Sequence, residues 1–301
     1  MNWYNLKRGV KMAVNGINNI TQYQINTAVK QEIMERIKQA EIEHGVKVLY
    51  AIESGSRAWG FSSPNSDYDV RFVYAHPKDW YLSVNLEDKR DVIEYPITDE
   101  IDINGWDIRK ALKLFYKSNP TIIEWLYSPI IYIDNNHFAQ QLRQLVNPVY
   151  SPSKGIYHYR NMANSNYRAV NKDERVPLKK YFYILRALLS VQWIEKFQSP
   201  APVEFEKLRT LLADDHGNNC EGNNQSNNNE VDKNELNTTI SHLLNRKQIS
   251  EEVALIPTIP IMNQFIETEL NRLKIYQGKQ VDKTIRFDEL NTLFLAVLNK
   301  N

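Results

Sequence analysis

The fold is decided by two neighbouring stretches, ESGSRAWGF at positions 53–61 and SDYDVRF at positions 66–72. The first follows the apolar run 46–52 (VKVLYAI), which predicts a buried strand that ends in a tight turn at Gly55-Ser56 and continues into a short helix. The second begins after the turn-forming residues 63–66 and predicts another strand. Asp67 and Asp69 are two positions apart, so both side chains point to one face of that strand.

This arrangement predicts a site for a metal-bound triphosphate. Two carboxylates on one face suit Mg²⁺, which prefers oxygen ligands that it shares with phosphate and water. Gly55 lets the backbone approach phosphates closely, and the start of the following helix offers free N–H groups. The Ser56 hydroxyl and the Arg57 guanidinium are further candidate phosphate contacts. Nucleotidyl transfer needs such groups, because charge develops on the α-phosphate and on the leaving pyrophosphate.

A third carboxylate is expected from a later strand at about residues 100–104. Asp102 lies between Ile101 and Ile103, and this alternation places its carboxylate on the opposite face from the two isoleucines. Asp107 is the alternative, although it directly precedes a helical pattern and suits an N-cap. The two acids have opposite parity along a strand, so both could be ligands only if Gly105 marked a bulge. We take Asp102 as the third ligand and keep Asp107 as the alternative.

The rest of the chain divides by pattern into three parts. Residues 1–22 are interpreted as an N-terminal extension, within which Met12 competes with Met1 as the start. Residues 23–134 mix helical and strand patterns and form the predicted catalytic domain. Residues 135–301 are mostly helical in pattern and predict a helical-bundle domain, so that the fold class is α+β. An asparagine-rich tract at about 217–238 has few apolar residues and predicts a disordered insertion.

Composition limits the classes of protein that this chain can belong to. The 301 residues are 42% hydrophobic and 24% charged, with a net charge of +1, which is typical of a globular protein without a strong overall field. Cys220 is the one cysteine, which excludes an intrachain disulfide and fits a reducing cytoplasm. No stretch approaches the roughly twenty apolar residues that a membrane span needs.

Beyond these patterns, the chain resembles the polymerase β superfamily of nucleotidyltransferases. The longer strings resemble one branch, the RNA-ligase-associated nucleotidyltransferases (the RlaP or YcgL-like group). These strings are the two quoted above, together with GWDIRKAL at 105–112, SNP at 118–120, EWLYSP at 124–129 and KKYFYxLR at 179–186. The resemblance covers about residues 45–275, and the asparagine-rich tract interrupts it.

The resemblance implies a nucleotidyltransferase domain with a mixed sheet, followed by a helical domain that faces the acids. It also implies a transferase of the EC 2.7.7 class that binds ATP or another NTP and uses Mg²⁺ or Mn²⁺. Asp67, Asp69 and Asp102 would be the metal ligands and catalytic residues, with Asp102 as a general base. Contacts to the nucleotide are expected from residues in both parts of the chain: Gly55, Ser56, Arg57, Lys180, Tyr183 and Arg186.

The family name points to an RNA end as the acceptor and to a role in RNA processing. A protein side chain, as in AMPylation, and a small molecule remain alternative acceptors. A non-catalytic nucleotide-binding regulator is the rival from a different class. The sequence leaves open the base preference and the oligomeric state.

Overall fold

The computed structural model describes residues 23–168, 174–213, 231–249, 254–278 and 286–300. In these ranges the chain forms seven strands: β1 (Lys47–Glu53), β2 (Tyr68–Ala75), β3 (Val92–Glu94), β4 (Ile101–Asp107), β5 (Ile131–Asp134), β6 (Arg175–Pro177) and β7 (Leu255–Pro257). The same ranges contain twelve α-helices: α1 (Thr27–His44), α2 (Gly55–Trp59), α3 (Ile108–Tyr116), α4 (Pro120–Leu126), α5 (Phe138–Gln144), α6 (Val146–Val149), α7 (Pro152–Arg168), α8 (Leu178–Phe197), α9 (Phe205–Arg209), α10 (Lys233–Ile249), α11 (Pro260–Lys274) and α12 (Phe287–Leu298).

Five strands form one mixed sheet in the order β3-β4-β2-β1-β5. β2 and β4 are parallel, whereas the other neighbouring pairs are antiparallel. The two strands that carry the predicted acids therefore lie side by side in the middle of the sheet. This mixed sheet with its helices confirms the predicted α+β fold class.

Local signals explain where several of these elements begin and end. The Asn26 side chain accepts a hydrogen bond from the Ala28 amide at 2.8 Å and caps the start of α1. Gly45 follows α1 with φ of 59°, a left-handed conformation that ends the helix and sends the chain into β1. At α4, the Asn119 side chain caps the helix and Pro120 occupies its first turn, where the missing amide hydrogen costs nothing.

The sheet has a buried core on each face. Along β2, Val70 and Phe72 join the core beneath α1, while Val73 and Ala75 join the core beneath α3, α4 and α5. This alternation follows from the two-residue period of a strand whose two faces are both covered. The central strands are therefore held from both sides, which fixes the positions of the acids that they carry.

A third core surrounds α8, the longest described helix. Phe61, in the loop after α2, belongs to this core and stacks on Phe182 with ring centroids 5.2 Å apart. The short helix α2, which begins at Gly55, is thus anchored to the helical part of the chain. The predicted boundary at residues 134 and 135 stays a prediction.

Three features of the later part of the chain differ from the predicted helical bundle with a disordered tract. β6 and β7 pair into an antiparallel ribbon in the part predicted to be helical. α12 returns to the core of the sheet, where Leu290 and Leu293 are buried. α10 begins at Lys233, so residues 233–238 of the predicted asparagine-rich insertion are helical. The side chain of Leu236 is fully buried, which explains why this stretch is ordered.

Two of the predicted segments lie outside the described residues. They are the N-terminal extension (1–22) and residues 217–230 of the asparagine-rich tract. Of the described helices, none is long and apolar enough to cross a membrane.

Candidate active site

Asp69 and Asp102 face each other across the parallel strands β2 and β4, in register. The Arg71 guanidinium joins them, because its Nη2 donates to Asp69 Oδ1 at 3.1 Å and to Asp102 Oδ2 at 2.6 Å. All three side chains are only partly exposed, at 31% for Asp69, 20% for Asp102 and 17% for Arg71. Two carboxylates thus share one positive charge at a half-buried position.

The Gly-Ser turn lies directly against this carboxylate pair. Gly55 has φ of 60°, and a Cβ atom built on it would lie 1.9 Å from Asp69 Oδ2. The Ser54 amide donates to the Asp69 carbonyl at 2.8 Å, which ties the turn to β2. Ser56 is buried at the start of α2. The turn therefore lies in direct contact with Asp69, and only glycine fits at the point of contact.

Asp67 lies just before β2, with an exposed side chain. Arg57 braces this loop: its Nε donates to the Asp67 carbonyl at 3.2 Å, its Nη2 donates to the Ser66 carbonyl, and its Cζ lies 3.7 Å from the centre of the Tyr68 ring. The structure therefore gives Arg57 a role in shaping the loop that carries Asp67. Among the described residues, no three His, Cys, Asp or Glu side chains stand close enough together to hold a metal ion.

Asp107 lies at the other end of β4, in register with Tyr74. The pairing of β2 with β4 is continuous through Gly105, so no bulge brings Asp107 to the face of Asp102. Its carboxylate is buried, accepts from the Arg109 amide at 2.8 Å and from the Tyr81 hydroxyl at 2.7 Å, and caps α3. Burial raises the pKa of the Asp107 carboxyl. The structure does not bring Asp107 together with Asp69.

The three predicted nucleotide contacts on α8 have different surroundings. Lys180 is half-buried, and its Nζ donates to Asn166 Oδ1 at 3.0 Å. Tyr183 meets the Trp59 ring edge to face, with centroids 5.3 Å apart, so it lies beside α2. Arg186 is 1% exposed and lies inside the protein.

Arg186 occupies a position between the two parts of the molecule. Its Nη2 pairs with the Glu124 carboxylate of α4, and its Cζ lies 4.4 Å from the centre of the Trp59 ring of α2. Burial lowers the pKa of the Arg186 guanidinium to about 9. This placement does not present Arg186 to a ligand, because the side chain is enclosed by protein on a helix that is buried on nearly all sides.

Glu53 is a site residue that the sequence reasoning missed. Its carboxylate is fully buried at the end of β1, accepts from the Asp69 amide at 2.8 Å through Oε1, and accepts from the Tyr132 hydroxyl at 2.6 Å through Oε2. Burial raises the pKa of Glu53 to about 7. The only signal for Glu53 in the sequence was its place as an acid at the end of an apolar run. Arg71 was also detectable, because it has the same strand parity as Asp67 and Asp69.

Replacing Gly55 with alanine is expected to reduce activity strongly without unfolding the protein. The new Cβ would displace the Asp69 carboxylate, and the left-handed backbone would add roughly 1–2 kcal/mol of strain. Gly45→Ala is the matched control: it has almost the same φ but nothing within 4 Å of the new Cβ. Urea unfolding should show a larger loss of stability for Gly55→Ala than for Gly45→Ala, because only the new Cβ at position 55 collides with another side chain. Wild-type activity in Gly55→Ala would contradict the contact with Asp69.

Comparisons with known proteins identify the family. A family model described as "RNA repair pathway DNA polymerase beta family" (RlaP) matches residues 29–225 and 223–296. The chain is 43% identical over 273 residues to a protein of Bacillus subtilis (strain 168) named "Uncharacterized protein YcgL", covering 90% of this chain and 97% of that protein. The solved structure of a nucleotidyltransferase-like protein from Exiguobacterium sibiricum 255-15 is 11% identical to the chain, with a TM-score of 0.29 over 90% of this chain and 89% of that one. By the family model and by its identity to the Bacillus subtilis protein, the chain belongs to the RNA repair pathway DNA polymerase beta family.

Proposed function

We propose that this protein transfers a nucleoside monophosphate from an NTP to an acceptor hydroxyl, and that it depends on a divalent metal. The observation that carries the proposal is the in-register pair of Asp69 and Asp102, which share one positive charge beside the Gly55 turn. Membership of a polymerase β-type family supports the same reaction class.

The residues present fit a magnesium or manganese ion. Arg71 Nη2 already takes the place of a cation between Asp69 and Asp102, and the donor atoms there are carboxylate oxygens, which Mg²⁺ prefers. Asp67 precedes the same strand, and its exposed carboxylate would have to move toward this pair to become a third ligand. Held by Asp69 and Asp102, with phosphate and water oxygens as further ligands, the metal would neutralise charge on the triphosphate and make the acceptor hydroxyl more acidic.

The chain's own residues then have distinct tasks. The absence of a side chain at Gly55 lets the Asp69 carboxylate lie directly against the turn, and the Ser56 hydroxyl donates to a phosphate oxygen. Asp102 accepts the proton of the acceptor hydroxyl as a general base. The hydroxyl oxygen forms a bond to the α-phosphorus, and the bond between that phosphorus and the oxygen bridging to the β-phosphate breaks. Pyrophosphate leaves with the electron pair of that bond.

The helical part contributes to nucleotide binding through α8. Tyr183 packs beside Trp59 at the end of α2, and Lys180 lies one turn earlier on the same helix. We assign these two residues to the base or ribose side of the nucleotide, and we do not extend this role to Arg186, which is buried. The family's description supports an RNA end as the acceptor.

The test is a transfer assay with each α-³²P-labelled NTP, Mg²⁺ or Mn²⁺, and a mixture of RNAs. Label should appear on RNA with the wild-type protein and should be absent with Asp67→Asn and Asp69→Asn proteins whose circular dichroism is unchanged. Label on protein would replace the RNA acceptor with a protein side chain. Binding of NTP without release of pyrophosphate under any of these conditions would favour a regulator and reject the proposed reaction.

A further inference from the structure

Arg71 makes two different sets of contacts with the two halves of its guanidinium group. Nη1 donates to backbone oxygens on two strands, the Val70 carbonyl at 3.0 Å and the Asp102 carbonyl at 2.9 Å. Nη2 donates to the carboxylates of Asp69 and Asp102. The backbone contacts fix the position of the group, whereas the carboxylate contacts hold the pair of acids together.

The positive charge is needed at this position when nothing else is bound. Asp69 and Asp102 are in register on adjacent parallel strands, and both are largely shielded from water. Like charges so placed repel each other more strongly than they would in water. Charge-assisted hydrogen bonds from a single nitrogen to both carboxylates offset that repulsion.

The same bonds place Arg71 in competition with a divalent cation. Nη2 uses Asp69 Oδ1 and Asp102 Oδ2, and these are oxygens that a metal shared by the two acids would take. A second positive charge beside the metal would also be repelled by it. Nη2 must therefore give up its carboxylate contacts before a cation can bind both acids.

We propose that Arg71 is the internal counter-cation of this carboxylate pair and that it sets the affinity of the site for divalent metal by being displaced. The inference rests on the proposed metal-dependent function. It assigns Arg71 a positioning role: the residue keeps the acids paired in the metal-free protein, and it weakens metal binding so that the site fills when metal is abundant or arrives with nucleotide.

The first measurement is calorimetric titration of the protein with Mn²⁺ alone. Arg71→Gln should bind Mn²⁺ about tenfold more tightly than wild type, since charge-assisted bonds no longer have to be broken. Arg272→Gln is the matched control, because Arg272 also bridges two acids, Glu195 of α8 and Glu269 of α11, which are not on the strands that carry the site. Its Mn²⁺ affinity should equal that of wild type. Equal or weaker binding by Arg71→Gln would overturn the inference.

The second measurement follows the side chain itself by NMR. The Arg71 Nε–H signal, assigned by its absence from the Arg71→Gln protein, should move when Mg²⁺ saturates the site and should stay in place when Mg²⁺ is added to Asp69→Asn protein. A signal that does not respond in wild type would show that the guanidinium is not displaced, and would overturn the inference. Failure of wild type and Arg71→Gln alike to bind Mn²⁺ would instead reject the metal-dependent function on which the inference rests.

Discussion

Asp102→Asn is expected to lower the rate of nucleotidyl transfer roughly a thousandfold, whereas Asp107→Asn is expected to leave it within a few-fold of wild type. The two acids lie on one strand, five residues apart, but only Asp102 is in register with Asp69. The substitution at Asp102 would keep the size of the side chain while removing the negative charge that we assign to metal binding and to proton removal.

Asp107 has a structural task that asparagine can largely perform. Its Oδ1 caps α3 by accepting from the Arg109 amide, and asparagine is an equally good N-cap. Its Oδ2 accepts from the Tyr81 hydroxyl, and this buried contact would be altered by an amide nitrogen. We therefore expect Asp107→Asn to cost about 1 kcal/mol of the free energy of unfolding.

The comparison needs steady-state rates and urea unfolding of both variants. Since the two substitutions are chemically identical and lie on the same strand, each serves as the control for the other. A thousandfold loss in Asp107→Asn, with near-normal rates in Asp102→Asn, would reverse the assignment of the third acid.

The central strands and the acids were predictable because strand parity is a local property. A continuous apolar run marked β1, whereas alternation in β4 and in the first half of β2 placed Asp69 and Asp102 on the less buried side of their strands. The pairing of Asp69 with Asp102 in register was not predictable. The two residues are 33 positions apart, and which strands pair in parallel is decided only in the folded sheet. β3 and β5 have only three and four residues and lie at the edges of the sheet, so they carry little periodic signal.

The burial of Arg186, one of the predicted nucleotide contacts, has a physical reason. Lys180, Tyr183 and Arg186 recur every three residues, a spacing that is typical of one side of a helix. α8 is the centre of a core and is enclosed on nearly all sides, so these three positions pass from half-buried at Lys180 to fully buried at Arg186. Helical periodicity shows which side of a helix a residue is on. It does not show how deeply that part of the helix is buried.

Removing the partner of Arg186 is expected to produce the largest loss of stability among single changes at this site. Glu124→Ala would leave a guanidinium that is 1% exposed without its carboxylate, at a cost of about 3–5 kcal/mol in the free energy of unfolding. Arg186 Nη1 already has no hydrogen-bond partner among the described residues, so the Glu124 carboxylate is the main compensation for burying this charge. Glu94→Ala is the control, because its pair with Arg90 is more than half exposed on both sides and should contribute less than about 1 kcal/mol.

Urea unfolding should also distinguish loss of a partner from loss of packing. The double variant Glu124→Leu/Arg186→Met removes both charges and should be more stable than Glu124→Ala, because apolar residues of similar volume replace a buried ion pair at little cost. Both variants should retain less activity than wild type, since Arg186 also packs over Trp59 at the end of the helix that follows the Gly55 turn. Unfolding of Glu124→Ala at the same urea concentration as Glu94→Ala would show that the pair with Glu124 does not hold Arg186 in place. The contact between α8 and the Gly-Ser turn would then depend on the aromatic rings of Phe61 and Tyr183 alone.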